Sequence, residues 1–437
     1  MLKLSRNEFK QRRKKLLAQL GSNGMAIIPT AHEVKRNRDT EFRFRPHSDF
    51  HYLTGFAEPE AVAVFLPGRK EGEYVLFCRE RDPLMETWHG RRAGLEGAER
   101  DFDAQQVFAI DQLDEIMPEL MANRDSVHYP LGDDSEFDAM VIGWLGEVKQ
   151  KARQGIGAPK ALLSSDDLIH EMRLFKSSEE IKLMRHAANI SAQAHTLAMQ
   201  RCQPGMLEFE VEAEILGHFR RHGCEVAYNS IVGCGHNSCI LHYIENNMAL
   251  NDGDLLLIDA GAEYQYYAAD ITRTFPVNGT FSKEQAALYQ VVLNAQKAAI
   301  KAVKPGNPWN KPHDVAVQIL TQGLVDLGLL KGEVKQLIKD EAYRRFYMHR
   351  TGHWLGMDVH DVGAYKQNGK WRELQPGMVL TVEPGLYIEP GAKGVAKKWH
   401  GIGIRIEDDV LVTADGNEVL TAGVIKEIKD IEALMAG

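Results

Sequence analysis

The chain has 437 residues, of which 44% are hydrophobic and 26% charged, and its formal net charge is -9. This length exceeds one ordinary core and predicts two or three domains of a folded, not disordered, protein. The acidic balance excludes a general nucleic-acid binder, which carries a basic stripe. No run of about 18 apolar residues occurs, so no membrane-spanning helix is expected.

The N-terminal stretch is basic but lacks an apolar segment and a small-residue cleavage site, so it does not read as a secretory signal, and the cytoplasm is the default location. Ser5 and Glu8 open a predicted surface helix through a capping-box pattern. MAIIP (25–29), AVAVFLP (61–67) and EYVLFC (73–78) read as strands among helical stretches, which predicts an α/β domain. The five cysteines, Cys78, Cys202, Cys224, Cys234 and Cys239, form no CxxC pair and read as idle thiols in a reducing compartment. Residues 153–165 turn polar and loop-like. Ser177 and Glu180 then form a capping box, with Ile181, Met184, Ala188 and Ile190 near helical spacing, and this helix stops before Pro204-Gly205. The boundary falls near residue 174, giving domains 1–174 and 175–437. A second long helix runs from about Lys283 to Val303, and strand signals dominate from residue 375. The second domain is therefore mixed, with helices beside a largely antiparallel sheet.

Three strand-like regions deliver acids where apolar residues are expected. LLLIDAG ends on Asp259, and Asp270 follows eleven residues later across a turn-rich segment, a spacing that suits a hairpin. MVLTVEPG holds Glu383. GIGIRIEDD alternates, with Ile402, Ile404 and Ile406 on one face and Arg405 and Glu407 on the other. A single strand-end acid is more often a turn or cap residue. Four of them on apolar strands are harder to explain as solvated edges, because a buried unpaired carboxylate costs many kcal/mol. A pair of metal ions supplies the missing positive charge.

MHRTGHWLGMDVHDVG holds His349, His353 and His360 in one glycine-rich stretch, more histidine than a satisfied core residue accounts for. His242, in CILHYIEN, is weak evidence by itself. HExxH, GxSxG and P-loop patterns are absent, which excludes helix-borne zinc proteases, serine hydrolases of the elbow type and P-loop enzymes. Carboxylates with an imidazole are mostly hard donors, suited to manganese or magnesium-like ions, while the general affinity order also admits cobalt, iron or zinc.

These segments, with SDFHYLTGF, METWHGRR, HEMRLFKSSEEI and YNSIVGCGHNSCILHYIEN, resemble the aminopeptidase P family of Xaa-Pro aminopeptidases, in particular its bacterial members, over nearly the whole chain. The resemblance implies an N-terminal creatinase-like α/β domain that governs access and oligomerisation. It also implies a C-terminal pita-bread metallopeptidase domain with a curved, largely antiparallel sheet. It implies two divalent ions, most simply Mn²⁺: Asp259 chelating one, His353 and Glu383 the other, and Asp270 and Glu407 bridging both. A hydroxide between them would hydrolyse the bond before a penultimate proline. Glu383 would shuttle the proton, His242 or His360 would donate to the oxyanion, and Arg405 matches the arginine beside the bridging glutamate. His349, Tyr387 and Trp88 fall on positions near the substrate groove. Peptides with proline second are the implied substrates, and a homodimer or homotetramer the implied assembly. The rival readings are an Xaa-Pro dipeptidase (prolidase), which must recognise a free carboxylate, and a non-catalytic binding module on the same fold. Methionine aminopeptidase is disfavoured by the large N-terminal domain.

Overall fold

In the computed structural model, which describes residues 2–437, the chain divides between Arg173 and Leu174 into two units. The first is built on a six-stranded sheet in the order Gln106–Ala109, Tyr74–Cys78, Val62–Phe65, Gly24–Pro29, Ser126–Tyr129, Ala161–Ser164. Gly24–Pro29 runs antiparallel to Val62–Phe65 and parallel to Ser126–Tyr129. Helices Leu113–Met121 and Ser135–Gln150 pack Met117, Val141 and Trp144 into one core with Met25, Ile27, Val62 and Phe77. The intervening Ala26 and Ile28 are buried too, which is why these strands read as unbroken apolar runs.

The N-terminal helix, Arg6–Gln19, departs from the surface helix expected of it. Ser5 accepts a hydrogen bond from the Glu8 N–H as anticipated, yet Arg12 and Arg13 are only 2% and 5% exposed. Their guanidinium groups donate to the carbonyls of Tyr52 and Leu53, each at 3.0 Å, at the C-terminal end of helix Ser48–Thr54. Those carbonyls lack intrahelical donors and lie at the negative end of the helix dipole, so two cations satisfy them. Charged composition hid this burial, because the arginine stems cover apolar surface while the heads find acceptors.

In the second unit, helix Ser178–Arg201 begins at the Ser177–Glu180 capping box. Glu180 also accepts from the Tyr267 hydroxyl at 2.9 Å. Helix Lys283–Ala302 starts at a Ser282–Gln285 box. Strand pairing here is antiparallel throughout. Leu255–Asp259 lies between Ile231–Cys234 and Thr272–Pro276, Val379–Val382 pairs with Asp408–Val412, and Gly385–Ile388 pairs with Ile402–Arg405. The sheet is thus a set of short ladders, so side chains at strand ends converge.

All five cysteines are free. Burial pushes the thiols of Cys78, Cys202 and Cys234 up to about 12, which keeps them protonated and unreactive. Among the described residues no helix is long and apolar enough to cross a membrane.

One buried charge in the first unit controls its acid stability. Asp49 accepts from Arg173 at 2.8 Å and lies 3.2 Å from His170 Nε2. Burial alone would raise its carboxyl, but Arg173 and His170 hold it far below the ordinary carboxylate range. Its stabilisation is therefore present above the unfolded value of ~3.9 and is lost as pH falls toward the depressed native value. Asp49→Ala removes the carboxylate that faces the buried Arg173 charge and should cost about 3–5 kcal/mol in denaturant unfolding of the first unit. Asp49→Asn should flatten the acid limb of its stability–pH curve, and an unchanged limb would overturn the assignment.

Candidate metal centre

The acids that interrupt the apolar runs sit where strands end. Asp259 is the last residue of Leu255–Asp259 and faces Thr272 across the ladder. Asp270 lies two residues before Thr272–Pro276, and Glu383 directly follows Val379–Val382. GIGIRIEDD is not the single alternating strand expected. Pairing stops after Arg405 and resumes at Asp408, and residues on both faces are buried. Glu407 occupies the break, its N–H donating to the Thr272 carbonyl at 3.1 Å. Leaving one ladder for another turns its carboxylate inward, next to acids from two other strands.

Asp270, His353 and Glu407 each offer one donor atom, all within 4.8 Å of one another. His353 Nε2 stands 3.4 Å from Asp270 Oδ2 and 3.8 Å from Glu383 Oε1. Its Nδ1–H donates to the Trp354 carbonyl at 2.9 Å, which turns Nε2 toward the acids as the atom on which a metal would replace a proton. Asp259 is reached from the other side. Arg405 donates to its Oδ2 at 2.6 Å, and the Tyr228 hydroxyl lies 2.6 Å from its Oδ1 and 2.5 Å from Asp270 Oδ1. Thr272 donates to Glu407 Oε2 at 2.6 Å. Asp409 Oδ2 accepts the Asp270 N–H at 3.1 Å.

The charge balance tests whether a cation fits. Burial drives the Glu407 carboxyl well above its ordinary value, and Asp270, Glu383 and Asp259 add to this. Glu383 is pushed up to about 7 by burial, against His353 and Arg405. Burial also raises Asp259, with Arg405 opposing. Asp270 alone is held low, because the His353 and Tyr228 hydrogen bonds outweigh burial. His353 is pushed up to about 9: burial opposes, but Asp270 and Glu383 prevail. With too few cations among four carboxylates, Glu407, Glu383 and Asp259 hold protons more tightly than usual, and a metal would displace them. Four oxygen-donor residues and one imidazole nitrogen suit hard or borderline divalent ions.

The other predicted residues form a relay around this cluster. Arg405 donates to the Tyr387 hydroxyl at 3.1 Å, and that hydroxyl lies 2.8 Å from His349 Nε2. His349 Nδ1–H donates to the Arg350 carbonyl at 2.7 Å, so Tyr387 is the donor to Nε2. Burial, followed by Arg405, pushes His349 down to about 3. It is therefore a neutral, fixed ring. Tyr387 is 1% exposed and stands behind His349. The His360 ring meets the His353 ring edge-on at 4.2 Å and is solvent-exposed. His242, on an exposed loop, lies near enough to bear on both His349 and His360. Trp88 belongs to the other unit, on helix Pro83–His89, and is 76% exposed.

Three residues at the centre escaped sequence reasoning. Tyr228, Thr272 and Asp409 make direct contacts to the acids, yet each is an ordinary residue in its segment. For Tyr228 the available signal was its place at the head of YNSIVGCGHN, a polar start to a buried strand.

Comparison with known proteins agrees with this geometry. Residues 182–414 match the model of metallopeptidase family M24, and residues 9–129 match the aminopeptidase P N-terminal domain. The chain is 46% identical to Xaa-Pro aminopeptidase of Escherichia coli over 437 residues, covering 100% of this chain and 99% of that one. It is similar to the solved structure of an aminopeptidase of Pseudomonas aeruginosa, with TM-score 0.99, 54% identity and coverage of 100% and 99%. It is also similar to zinc-substituted aminopeptidase P of E. coli in complex with product, with TM-score 0.96, 46% identity and 99% of each chain covered. With buried acids and a histidine gathered at strand ends, and with both family domains matched in order, the chain belongs to metallopeptidase family M24 and carries the aminopeptidase P N-terminal domain.

Proposed function

We propose that this chain is a metal-dependent aminopeptidase that hydrolyses the bond between any N-terminal residue and a penultimate proline in peptides. One observation supports the reading: Asp270, His353 and Glu407 bring donor atoms within 4.8 Å of one another, with Glu383 and Asp259 beside them, in a chain similar end to end to Xaa-Pro aminopeptidases. Asp259 would hold one divalent ion, His353 and Glu383 a second, and Asp270 and Glu407 both. Mn²⁺ is the assignment, with Co²⁺, Fe²⁺ or Zn²⁺ able to occupy the same donors. Such a pair supplies Lewis acidity and a water acidic enough to be a nucleophile near neutral pH.

The protein's own groups then orient and move protons. Glu383 Oε2 faces His349 at 3.6 Å, and this carboxylate takes the proton of the attacking water. Asp259, oriented by Arg405 and Tyr228, receives the substrate's free amine. His360 and His242 stand on the open side of the centre and donate hydrogen bonds to the carbonyl oxygen as negative charge develops there. Arg405, Tyr387 and His349 form a fixed chain that keeps the imidazole neutral and aimed. The scissile bond is a tertiary amide with no N–H and a fixed φ, so a site that grips the following N–H cannot use it. This one must deliver a proton to the proline nitrogen instead. The N-terminal unit would restrict access and assemble a homodimer or homotetramer, in which a neighbouring copy offers Trp88 to the substrate. A cytoplasmic location belongs to the same reading.

Metal-stripped protein supplied with Mn²⁺ should release the first residue from Xaa-Pro-Xaa tripeptides. Cleavage restricted to Xaa-Pro dipeptides would move the activity to prolidase, and no cleavage despite bound ions would leave a binding module.

Asp270→Ala and Glu407→Ala each remove a donor to both ions. Both variants should lose metal, and activity should drop by more than the ~10–100-fold typical of losing an outer-shell partner. Metal analysis of the folded proteins decides this, since full occupancy and activity in Glu407→Ala would refute the shared role.

His360→Ala should instead lower kcat by about 10²–10³-fold, the scale of one oxyanion donor, while leaving metal content intact. An emptied site would make His360 a ligand.

A further inference from the structure

Behind the histidine segment lies a buried ion pair that the mechanism has not used. Lys176 Nζ donates to Asp361 Oδ2 at 2.9 Å, and both side chains are 1% exposed. Removing two charges from water is expensive, and a pair of this kind is weak evidence for stability alone. Its surroundings point to another role. The Lys176 backbone is fixed on both sides: its N–H donates to the Gly377 carbonyl at 2.9 Å, and the next residue, Ser177, caps helix Ser178–Arg201. Gly377 in turn lies just before Val379–Val382, the strand that delivers Glu383.

Asp361 directly follows His360, and its N–H donates to the Trp354 carbonyl at 2.9 Å. Residues 354–361 therefore close into a loop with His353 and His360 at its two ends. The Gly356 carbonyl in this loop accepts the Ala268 N–H at 2.9 Å, two residues before Asp270. A Cβ on Gly356 would sit 2.1 Å from Asp361 Oδ2 and 2.9 Å from Lys176 Cε. The ion pair thus fills the space under the loop, and only glycine lets the backbone come down onto it.

We propose that the Lys176–Asp361 ion pair is a positioning device for His360: it anchors the end of the loop to the base of helix Ser178–Arg201 and so holds the imidazole at the reacting carbonyl. The inference rests on His360 acting there. Lys176 touches neither substrate nor any metal donor, so it works only through the loop. Displacing a catalytic group by about 1 Å can cost up to ~10²-fold in rate.

The test is a double-mutant cycle with His360→Ala, read as kcat, KM and metal content. Lys176→Met alone takes the ammonium away from a buried carboxylate and is liable to unfold. The neutral pair Lys176→Met/Asp361→Asn removes both charges and keeps the volume. It should keep wild-type metal content and KM while kcat falls ~10–100-fold. In the His360→Ala background the same pair should change kcat less than twofold, because the group it positions is already gone. Lys176→Arg preserves the charge and should recover much of kcat; if the neutral pair does not fold, Asp361→Asn, in which Lys176 Nζ keeps the Leu174 carbonyl and an amide oxygen as acceptors, carries the same cycle. Wild-type kcat in the folded neutral pair, an equal loss with and without His360, or a loss that tracks metal content would each overturn the proposal. Wild-type kcat in His360→Ala alone is a separate result and would overturn the role of His360 itself.

Discussion

Asp259, Asp270, Glu383 and Glu407 share one space in which Arg405 and His353 supply positive charge, while His349, 3.6 Å from Glu383, is held neutral. Carboxylates this close cannot all ionise in a low-dielectric interior unless positive charge or hydrogen bonds compensate. Arg405 answers part of the demand. At 4% exposure it reaches Asp259, Thr272 and Tyr387 at once. Tyr228 and Thr272 answer another part with hydroxyl donors. What remains is a demand for cations, and His353, whose Nε2 faces Asp270 and Glu383, points the same way.

The strands that bring the acids together are themselves held by buried polar hubs. Arg273, fully buried, donates to the carbonyls of Thr272 and Glu407 and to Asp408 Oδ1. Asp408 also accepts from Thr421, Gln296 and Lys426, and against burial the charges of Arg273 and Lys426 bring its carboxyl down to about 2. Glu208 plays the corresponding part under the His242 loop, accepting from Cys234, Asn237, Tyr243 and Met248. Satisfied networks of this kind define one geometry, because any shift would leave a buried charge unpaired. A centre that must keep donor atoms in register benefits from such stiffness.

The starts of the capped helices and the strands Gly24–Pro29, Val62–Phe65 and Tyr74–Cys78 were legible, because capping boxes and unbroken hydrophobic runs are local signals, whereas Ala161–Ser164 pairs within a stretch that reads as loop. So was the grouping of acids and histidines, since an acid inside an apolar run is an anomaly at any fold. The burial of Arg12 and Arg13 was not legible: a basic helix looks solvated until the carbonyls of Tyr52 and Leu53 come to meet it. The break at Glu407 was hidden for a similar reason. Alternation in GIGIRIEDD describes a strand, but the strand's change of partner is decided by Thr272, far off in sequence.

The amino-acid order by itself determined which groups could act: the chemistry of four acids, one set of histidines and one arginine, and the segments that carry them. It also carried the family, because those segments are long and ordered. Tertiary structure alone decided how the groups meet. It set which atom of His353 faces the acids, that Tyr387 stands behind His349, that Tyr228 bridges two acids, and that Lys176 and Asp361 lie beneath the histidine loop. The physical reason is that hydrogen bonds and desolvation depend on distances between segments far apart in the chain, and no local pattern encodes those distances.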